Sequence, residues 1–170
     1  MTRADATELV APTMRLHAAW PAAHREWGPG PHEDGFGLRA GDEVATPAGF
    51  AAWTARLEAD DRCTYRWMVE GGRVLGGIAL RRGPGELVRR FGHLGYGVRP
   101  SARGRGLATW ALARMLDHAR RLGMDHVLLV CAAGNLASAR TIERAGGRLE
   151  RIEDTDLGPA RRYRITLTAP

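Results

Sequence analysis

The sequence contains no lysine: all 25 of its basic residues are arginine, and the formal net charge is +6. Cysteine is also scarce, because Cys63 and Cys131 are the only two in 170 residues. Two cysteines do not make the disulfide framework of a small secreted protein, which favours a reducing compartment. No apolar run approaches the ~20 residues that a membrane-spanning helix needs, and Asp5 and Glu8 interrupt the place where a signal peptide would have its apolar core. We therefore expect a cytoplasmic protein with no membrane segment.

The length of 170 residues predicts one domain that can bury a sizeable core without support from a metal or a disulfide, and we expect no metal site. The sequence pI of about 10.5 raises the question of nucleic-acid binding. The arginines, however, are scattered over the predicted helices, strands and loops. A nucleic-acid surface more often shows one basic stripe with interleaved aromatic residues. The charge distribution therefore argues against nucleic acid as the main partner.

The hydrophobic pattern alternates between helix and strand signals along the chain. Thr46 before Pro47 is a good helix start, and the apolar run at residues 127–131 predicts a strand buried on both faces. The full predicted order is a strand at 8–13, helices at 14–27 and 46–60, strands at 64–69, 73–80 and 91–98, a helix at 109–122, a strand at 127–131, a helix that stops at 146–147, and strands at 148–152 and 162–167. This order predicts an α/β domain with a mixed, mostly antiparallel sheet flanked by helices.

The most informative stretch is R-G-R-G-L-A at residues 103–108, between a predicted strand and a predicted helix. A strand that turns through glycines into a helix leaves several backbone N–H groups unpaired beside the positive end of the helix dipole. Glycines allow a close approach to the main chain, and arginines add charge-assisted hydrogen bonds. The stretch therefore predicts an anion site, with a phosphate or diphosphate as the ligand.

Two flanking motifs extend this observation. G-Y-G-V-R-P at residues 95–100 precedes the turn, and N-L-A-S-A-R-T-I-E-R-A-G-G at residues 135–147 follows one helix and one strand later. Together the three motifs resemble the GNAT superfamily of N-acetyltransferases, and within it a bacterial subgroup that carries G-H-I-G-Y-x-V-R-P. The resemblance covers about residues 64–167 and is weak before residue 60.

The resemblance implies a single N-acetyltransferase domain over residues 1–170, with acceptor-side helices and loops in residues 1–60 and a coenzyme-binding core in residues 64–167. It also implies that the central strands splay apart to admit the pantetheine arm of acetyl-CoA. The backbone N–H of Val98 would donate to the thioester oxygen, which gives Val98 a catalytic role. The implied coenzyme contacts are Val98, Arg99, Arg103, Gly104, Arg105, Gly106, Leu107, Ala108, Asn135 and Ser138. For Asn135, a helix N-cap is the alternative interpretation.

One position departs from the family pattern. Many members place a tyrosine at the position of Ile142 to reprotonate the leaving thiolate, and isoleucine cannot do this. Ser138, Cys131, Tyr163 or water would have to substitute, and we take Ser138 as the candidate catalytic residue here. Reprotonation is a minor requirement, because a thiolate is already a fair leaving group.

The general base and the acceptor site are less defined by the sequence. His93 is the candidate base, since imidazole titrates near neutral pH, and the alternative is a structural histidine that forms hydrogen bonds. Glu33 and Asp34 are candidate substrate-binding residues that would attract a cationic amine, and the alternative is a solvated loop. Four tryptophans could wall an acceptor pocket or simply fill a core: Trp20, Trp27, Trp53 and Trp67.

The sequence therefore predicts an enzyme that transfers an acetyl group from acetyl-CoA to the primary amine of a small molecule, by direct attack in a ternary complex. A homodimer is a possible assembly. The alternative is a non-catalytic module that binds acyl-CoA or uses its basic surface on nucleic acid, and the isoleucine at position 142 keeps this alternative open.

Overall fold

The computed structural model describes residues 6–28 and 35–168. Within this range the chain forms two compact units. The first unit contains the chain up to Ala79 together with Tyr96–Leu107, and the second contains Leu80–Gly95 together with the chain from Ala108 onward. No helix among the described residues is long and apolar enough to cross a membrane.

The described residues form five α-helices and seven strands. The helices are α1 (Trp20–Trp27), α2 (Pro47–Glu58), α3 (Glu86–Phe91), α4 (Leu107–Arg121) and α5 (Leu136–Arg144), with short 3-10 turns at Met14–Leu16 and Pro100–Ala102. The strands are β1 (Glu8–Val10), β2 (Cys63–Glu70), β3 (Arg73–Arg81), β4 (Leu94–Val98), β5 (His126–Ala132), β6 (Arg148–Thr155) and β7 (Gly158–Thr166).

The seven strands of the described residues belong to one sheet, in the order β1-β2-β3-β4-β5-β7-β6. β1 is antiparallel to β2, and β7 is antiparallel to both β5 and β6. β4 pairs with β5 in parallel, with Leu94 opposite Leu129. The predicted α/β fold, with a mixed and mostly antiparallel sheet flanked by helices, is confirmed. The predicted splaying of the central strands stays a prediction.

Several local predictions are confirmed by the residues that begin and end the helices. Thr46 is the N-cap of α2, because its side-chain oxygen accepts the N–H of Gly49 at 3.1 Å. The apolar face of α4 is buried at the predicted positions Leu112, Met115, Leu116 and Ala119. Gly123 follows that helix with a φ of +76°, a left-handed conformation that glycine adopts without strain.

The aromatic residues of the first unit form its core. Three of the tryptophans considered as pocket walls are almost fully buried, with exposures of 1% for Trp20, 1% for Trp53 and 0% for Trp67. Their rings pack on one another, and the Trp20 and Trp53 ring centroids are 4.7 Å apart. Trp27 is partly buried against the same cluster. The structure therefore supports the core interpretation for these side chains.

Two predictions about the strands are wrong. The strand predicted at residues 91–98 begins at Leu94, because Phe91 ends α3 and Gly92 turns with a φ of +79°. A Cβ at Gly92 would lie 2.5 Å from the Leu128 carbonyl oxygen, so the chain needs glycine at this turn. β5 is not buried on both faces, because Val127, Leu129 and Cys131 are buried whereas the residues between them are half-exposed.

Candidate functional site

The predicted anion site is an exposed turn between β4 and α4. The chain leaves β4 through the 3-10 turn at Pro100–Ala102, and residues 103–106 are all exposed before α4 begins at Leu107. Gly104 has a φ of +76° and Gly106 a φ of +75°, in the left-handed region that side chains disfavour. An ideal Cβ built on either glycine meets no atom within 4 Å, so the main chain here is open to a ligand.

This turn has the local chemistry of an anion cradle. The first-turn N–H groups of α4 have no carbonyl partner within the helix, and the helix dipole adds a partial positive charge at this end. The Arg103 guanidinium group donates from Nε to the Val98 carbonyl at 2.9 Å, which closes the turn back onto the end of β4. The six predicted cradle residues, 103–108, thus form one continuous stretch of turn and helix start.

Arg105 is held at the end of β2. Its Nη2 atom lies 2.7 Å from Glu70 Oε1, and Thr7 Oγ1 donates to the same carboxylate oxygen at 3.0 Å. The hydrogen bond from Arg105 holds the pKa of Glu70 below its ordinary value. Glu70 therefore balances part of the positive charge of Arg105, and a contact between Arg105 and a phosphate stays a prediction.

Arg99 is a buried residue with a structural ion pair. Only 7% of Arg99 is exposed, and its Nη2 atom lies 2.5 Å from Glu26 Oε2 on α1. Its backbone N–H donates to the Leu75 carbonyl of β3 at 2.8 Å. A contact between Arg99 and the coenzyme stays a prediction, and its guanidinium group is already engaged within the first unit.

The geometry of β4 indicates the direction of the Val98 N–H group. Successive N–H groups of an extended strand point to opposite edges. Because the N–H of Arg99 donates to Leu75 on β3, the N–H of Val98 is directed to the edge of β4 that faces away from β3. This orientation is the one an oxyanion donor at Val98 requires.

In the second unit, Asn135 is the N-cap of α5. Its Oδ1 atom accepts the N–H of Ser138 at 3.1 Å. The N-cap interpretation is thus confirmed, and a coenzyme contact by Asn135 stays a prediction. The Ser138 side chain forms a hydrogen bond with Cys131, and burial raises the pKa of the Cys131 thiol.

His93 lies just before β4 and joins two neighbouring strands. The Leu128 N–H donates to His93 Nδ1 at 2.9 Å, and the His93 N–H donates to the Leu128 carbonyl at 2.7 Å. Because Nδ1 accepts a hydrogen bond, the neutral ring carries its proton on Nε2 and has no free lone pair for a second proton. Burial is the main cause that lowers the pKa of His93. These contacts favour the structural alternative over the predicted general base.

Residue 142, where many family members have a tyrosine, lies in the hydrophobic core. Ile142 is 1% exposed on α5. Tyr163, the tyrosine of the second unit, is fully buried and donates from its hydroxyl to Glu143 Oε1 at 2.9 Å. Burial raises the pKa of Tyr163, so this hydroxyl keeps its proton at neutral pH.

The second unit also contains a cavity of about 410 Å³ that the sequence did not indicate. Its lining comes from the end of α3, the end of β5 and the β6–β7 hairpin: Arg89, Arg90, Phe91, Val130, Cys131, Ala132, Glu153, Asp154, Thr155, Asp156, Leu157, Gly158, Pro159, Ala160 and Arg162. The feature of the sequence that points toward this cavity is the Gly83-Pro84-Gly85 break. This break separates β3 from α3, a helix that the sequence analysis did not predict.

Most charged groups of this cavity are paired. Arg90 lies 2.6 Å from Asp156, and the buried Arg162 lies 3.0 Å from Glu153. Asp154 makes no ion pair within the part of the chain that the structure describes. The cavity therefore combines an apolar wall with a carboxylate available to a cationic ligand. The substrate residues predicted from the sequence, Glu33 and Asp34, lie outside the described residues.

Comparison with known proteins defines the family. The family model described as "Acetyltransferase (GNAT) domain" matches residues 1–148 of the chain. The chain belongs to this GNAT acetyltransferase family. A search of curated proteins gave no match. The family uses acetyl-CoA as its acyl donor, so acetyl-CoA is the donor substrate of this GNAT protein.

Solved structures agree with the GNAT fold. RimJ from Mycobacterium smegmatis, in complex with CoA-disulfide, is 22% identical with a TM-score of 0.72, over 96% of this chain and 83% of that one. The ribosomal L7/L12 alpha-N-protein acetyltransferase RimL, in complex with coenzyme A, is 15% identical with a TM-score of 0.73, over 96% of both chains. The microcin C7 self-immunity acetyltransferase MccE, in complex with acetyl-CoA and AMP, is 13% identical with a TM-score of 0.71, over 94% of this chain and 92% of that one. Because these identities are low, the similarity supports a shared fold and not a shared substrate.

Proposed function

We propose that this GNAT protein transfers an acetyl group from acetyl-CoA to the primary amine of a small molecule in the cytoplasm. The observation that carries the proposal is the exposed turn with two left-handed glycines at the start of α4, in a chain of this family. The motifs at residues 95–100 and 135–147 also support membership of the narrower bacterial subgroup.

The donor is bound mainly by main chain. The N–H groups of the turn and of the first turn of α4 hold the diphosphate of acetyl-CoA, and the Val98 N–H group donates to the thioester oxygen. One such donor at a developing oxyanion contributes about 3 kcal/mol to the transition state. Asn135 and Ser138 are the proposed contacts for the pantetheine arm in the second unit.

The acceptor occupies the cavity beside the end of β5. A volume of about 410 Å³ suits a small molecule, and Asp154 attracts its ammonium group. The ammonium group loses one proton to water, and the free amine attacks the thioester carbonyl to form the N–C bond and a tetrahedral oxyanion. The C–S bond then breaks, the nitrogen loses its second proton through water to the leaving sulfur, and coenzyme A departs as the thiol. Holding the two reactants in line supplies up to about 7–11 kcal/mol, so positioning outweighs any single acid or base.

Thiol release measured across a panel of acceptors tests this function. The panel contains simple amines, aminoglycosides, nucleoside antibiotics and peptides with free N-termini. We expect release with at least one small amine, and a lower rate in the Asp154→Asn variant. Turnover with peptides alone would contradict a small-molecule acceptor and indicate that the enzyme acetylates a protein N-terminus. Binding of acetyl-CoA without turnover on any acceptor would favour the non-catalytic alternative.

A further inference from the structure

We propose that Glu26 of α1 is a positioning residue for the coenzyme site, through contacts that hold the chain between β4 and the glycine turn. The inference rests on the proposed function, because it concerns the same diphosphate-binding turn. It was not expected from the sequence, which assigned residues 1–60 to the acceptor side.

The Glu26 carboxylate contacts both sides of Pro100. Its Oε2 atom accepts the Nε–H of Arg99 at 2.7 Å and lies 2.5 Å from Nη2 of the same residue. Its Oε1 atom accepts the backbone N–H of Ser101. One carboxylate therefore orients the side chain that ends β4 and the main chain that begins the 3-10 turn.

Arg99 connects this carboxylate to the sheet. Its Nη1 atom donates to the Val74 carbonyl at 3.2 Å, and its backbone N–H donates to the Leu75 carbonyl, both on β3. The Ala102 N–H donates to the Arg99 carbonyl at 2.9 Å. Consecutive hydrogen bonds thus connect β3 through Arg99 to the turn. The negative charge of Glu26 offsets the free-energy cost of burying the Arg99 guanidinium group.

The Glu26 carboxylate stays charged opposite Arg99 at neutral pH. The hydrogen bond from Arg99 lowers the pKa of Glu26 from 4.5 to about 2, so the carboxylate is ionised throughout the neutral range. Glu26 therefore acts as a fixed support and not as a pH switch. A main-chain anion site depends on such support, because its N–H donors cannot adjust as flexible side chains do.

The test compares Glu26→Ala with a matched control. Asp42 is also in the first unit, and its carboxylate likewise accepts from one arginine, Arg56 at 2.5 Å, and from one backbone N–H, Arg39 at 2.8 Å. We expect Glu26→Ala to raise the Kd and KM for acetyl-CoA by about 10- to 100-fold, because small misplacements of a binding group cost this much. Asp42→Ala should leave both constants within about twofold, since the ion pair and the backbone contact that it removes both lie outside the glycine turn.

A double variant separates positioning from general stability. Glu26→Ala with Arg99→Met removes the buried unpaired cation and should recover much of the lost thermal stability. The Ser101 N–H still lacks its acceptor, so the Kd for acetyl-CoA should stay above that of the single variant Arg99→Met, in which Glu26 keeps its contact with Ser101. Full recovery of affinity in the double variant, or an unchanged Kd in Glu26→Ala, would overturn the inference while leaving the proposed function intact. A wild-type protein that binds no acetyl-CoA would overturn both.

Discussion

At the scale of single residues, the hydrogen bond from the Leu128 N–H to His93 favours a structural role for this histidine over that of a general base. Its Nδ1 atom accepts the Leu128 N–H, so the ring acts as a fixed acceptor between two strands. The His126 ring lies beside it, with centroids 5.8 Å apart, and after burial this neighbour is the next cause that lowers the pKa of His93. A group in this setting stabilises the sheet best when it is neutral.

The variant His93→Asn tests this role, because the amide oxygen of asparagine can replace Nδ1 as the acceptor. We expect its kcat/KM to stay within about threefold of wild type, whereas loss of a general base would lower it by about 10²–10⁴-fold. His93→Ala leaves the Leu128 N–H without its acceptor and should lose about 1–3 kcal/mol of stability.

The same histidine predicts a pH dependence of stability. Because burial lowers the pKa of His93 below its ordinary 6.5, protons bind the unfolded chain more tightly than the folded one. The contribution of neutral His93 is therefore present above pH 6.5 and is lost as the pH falls below it. Chemical denaturation between about pH 7 and about pH 5 should show a smaller loss for His93→Asn than for wild type. Equal losses would contradict the effect of burial.

At the scale of secondary-structure elements, α4 has a left-handed glycine at each end. Gly106 precedes the helix with a φ of +75°, and Gly123 follows it with a φ of +76°. Neither has an atom within 4 Å of an ideal Cβ. The same substitution therefore causes the same backbone strain at both sites, but only Gly106 lies in the proposed diphosphate site.

We expect Gly106→Val and Gly123→Val each to lose about 1–2 kcal/mol through left-handed strain, without unfolding. Gly106→Val should also abolish the rise in Tm that acetyl-CoA causes, because the side chain blocks the approach of the ligand to the main chain. Gly123→Val should keep the full rise, measured by differential scanning fluorimetry. A retained rise in Gly106→Val would remove this turn from the coenzyme site.

At the scale of the whole molecule, the net charge of +6 does not produce a uniformly basic surface. At least nine arginines form ion pairs with carboxylates: Arg56, Arg89, Arg90, Arg99, Arg105, Arg120, Arg151, Arg162 and Arg164. Exposed pairs of this kind add little to stability, but they weaken the positive potential that nucleic acid would need.

Acetyl-CoA should therefore raise the Tm while duplex DNA should not. At a concentration of about 100 times Kd, a ligand that binds only the folded protein adds about 2.7 kcal/mol, or about 5–10 °C for a chain of this size. Desulfo-CoA, which keeps the diphosphate but lacks the thiol, is a suitable control and should raise the Tm as well. A rise with DNA and none with acetyl-CoA would contradict the proposed function.

The sequence by itself determined the features that depend on neighbouring residues. The cap at Thr46 and the apolar face of α4 follow from local spacing, and the structure has them where they were predicted. The glycine turn predicted over residues 103–108 is present too, but it is two residues shorter because α4 begins at Leu107. The short α3 was missed because six residues do not complete two helical turns, so no periodicity could indicate it.

Only the tertiary structure decided the contacts between distant parts of the chain. Glu26 and Arg99 are 73 residues apart, and nothing in either local sequence selects the other as a partner. The cavity likewise depends on α3 packing beside a hairpin that begins more than fifty residues later. Such pairings arise from the order of strands and the burial of side chains in the folded chain, which local hydrophobic periodicity does not encode.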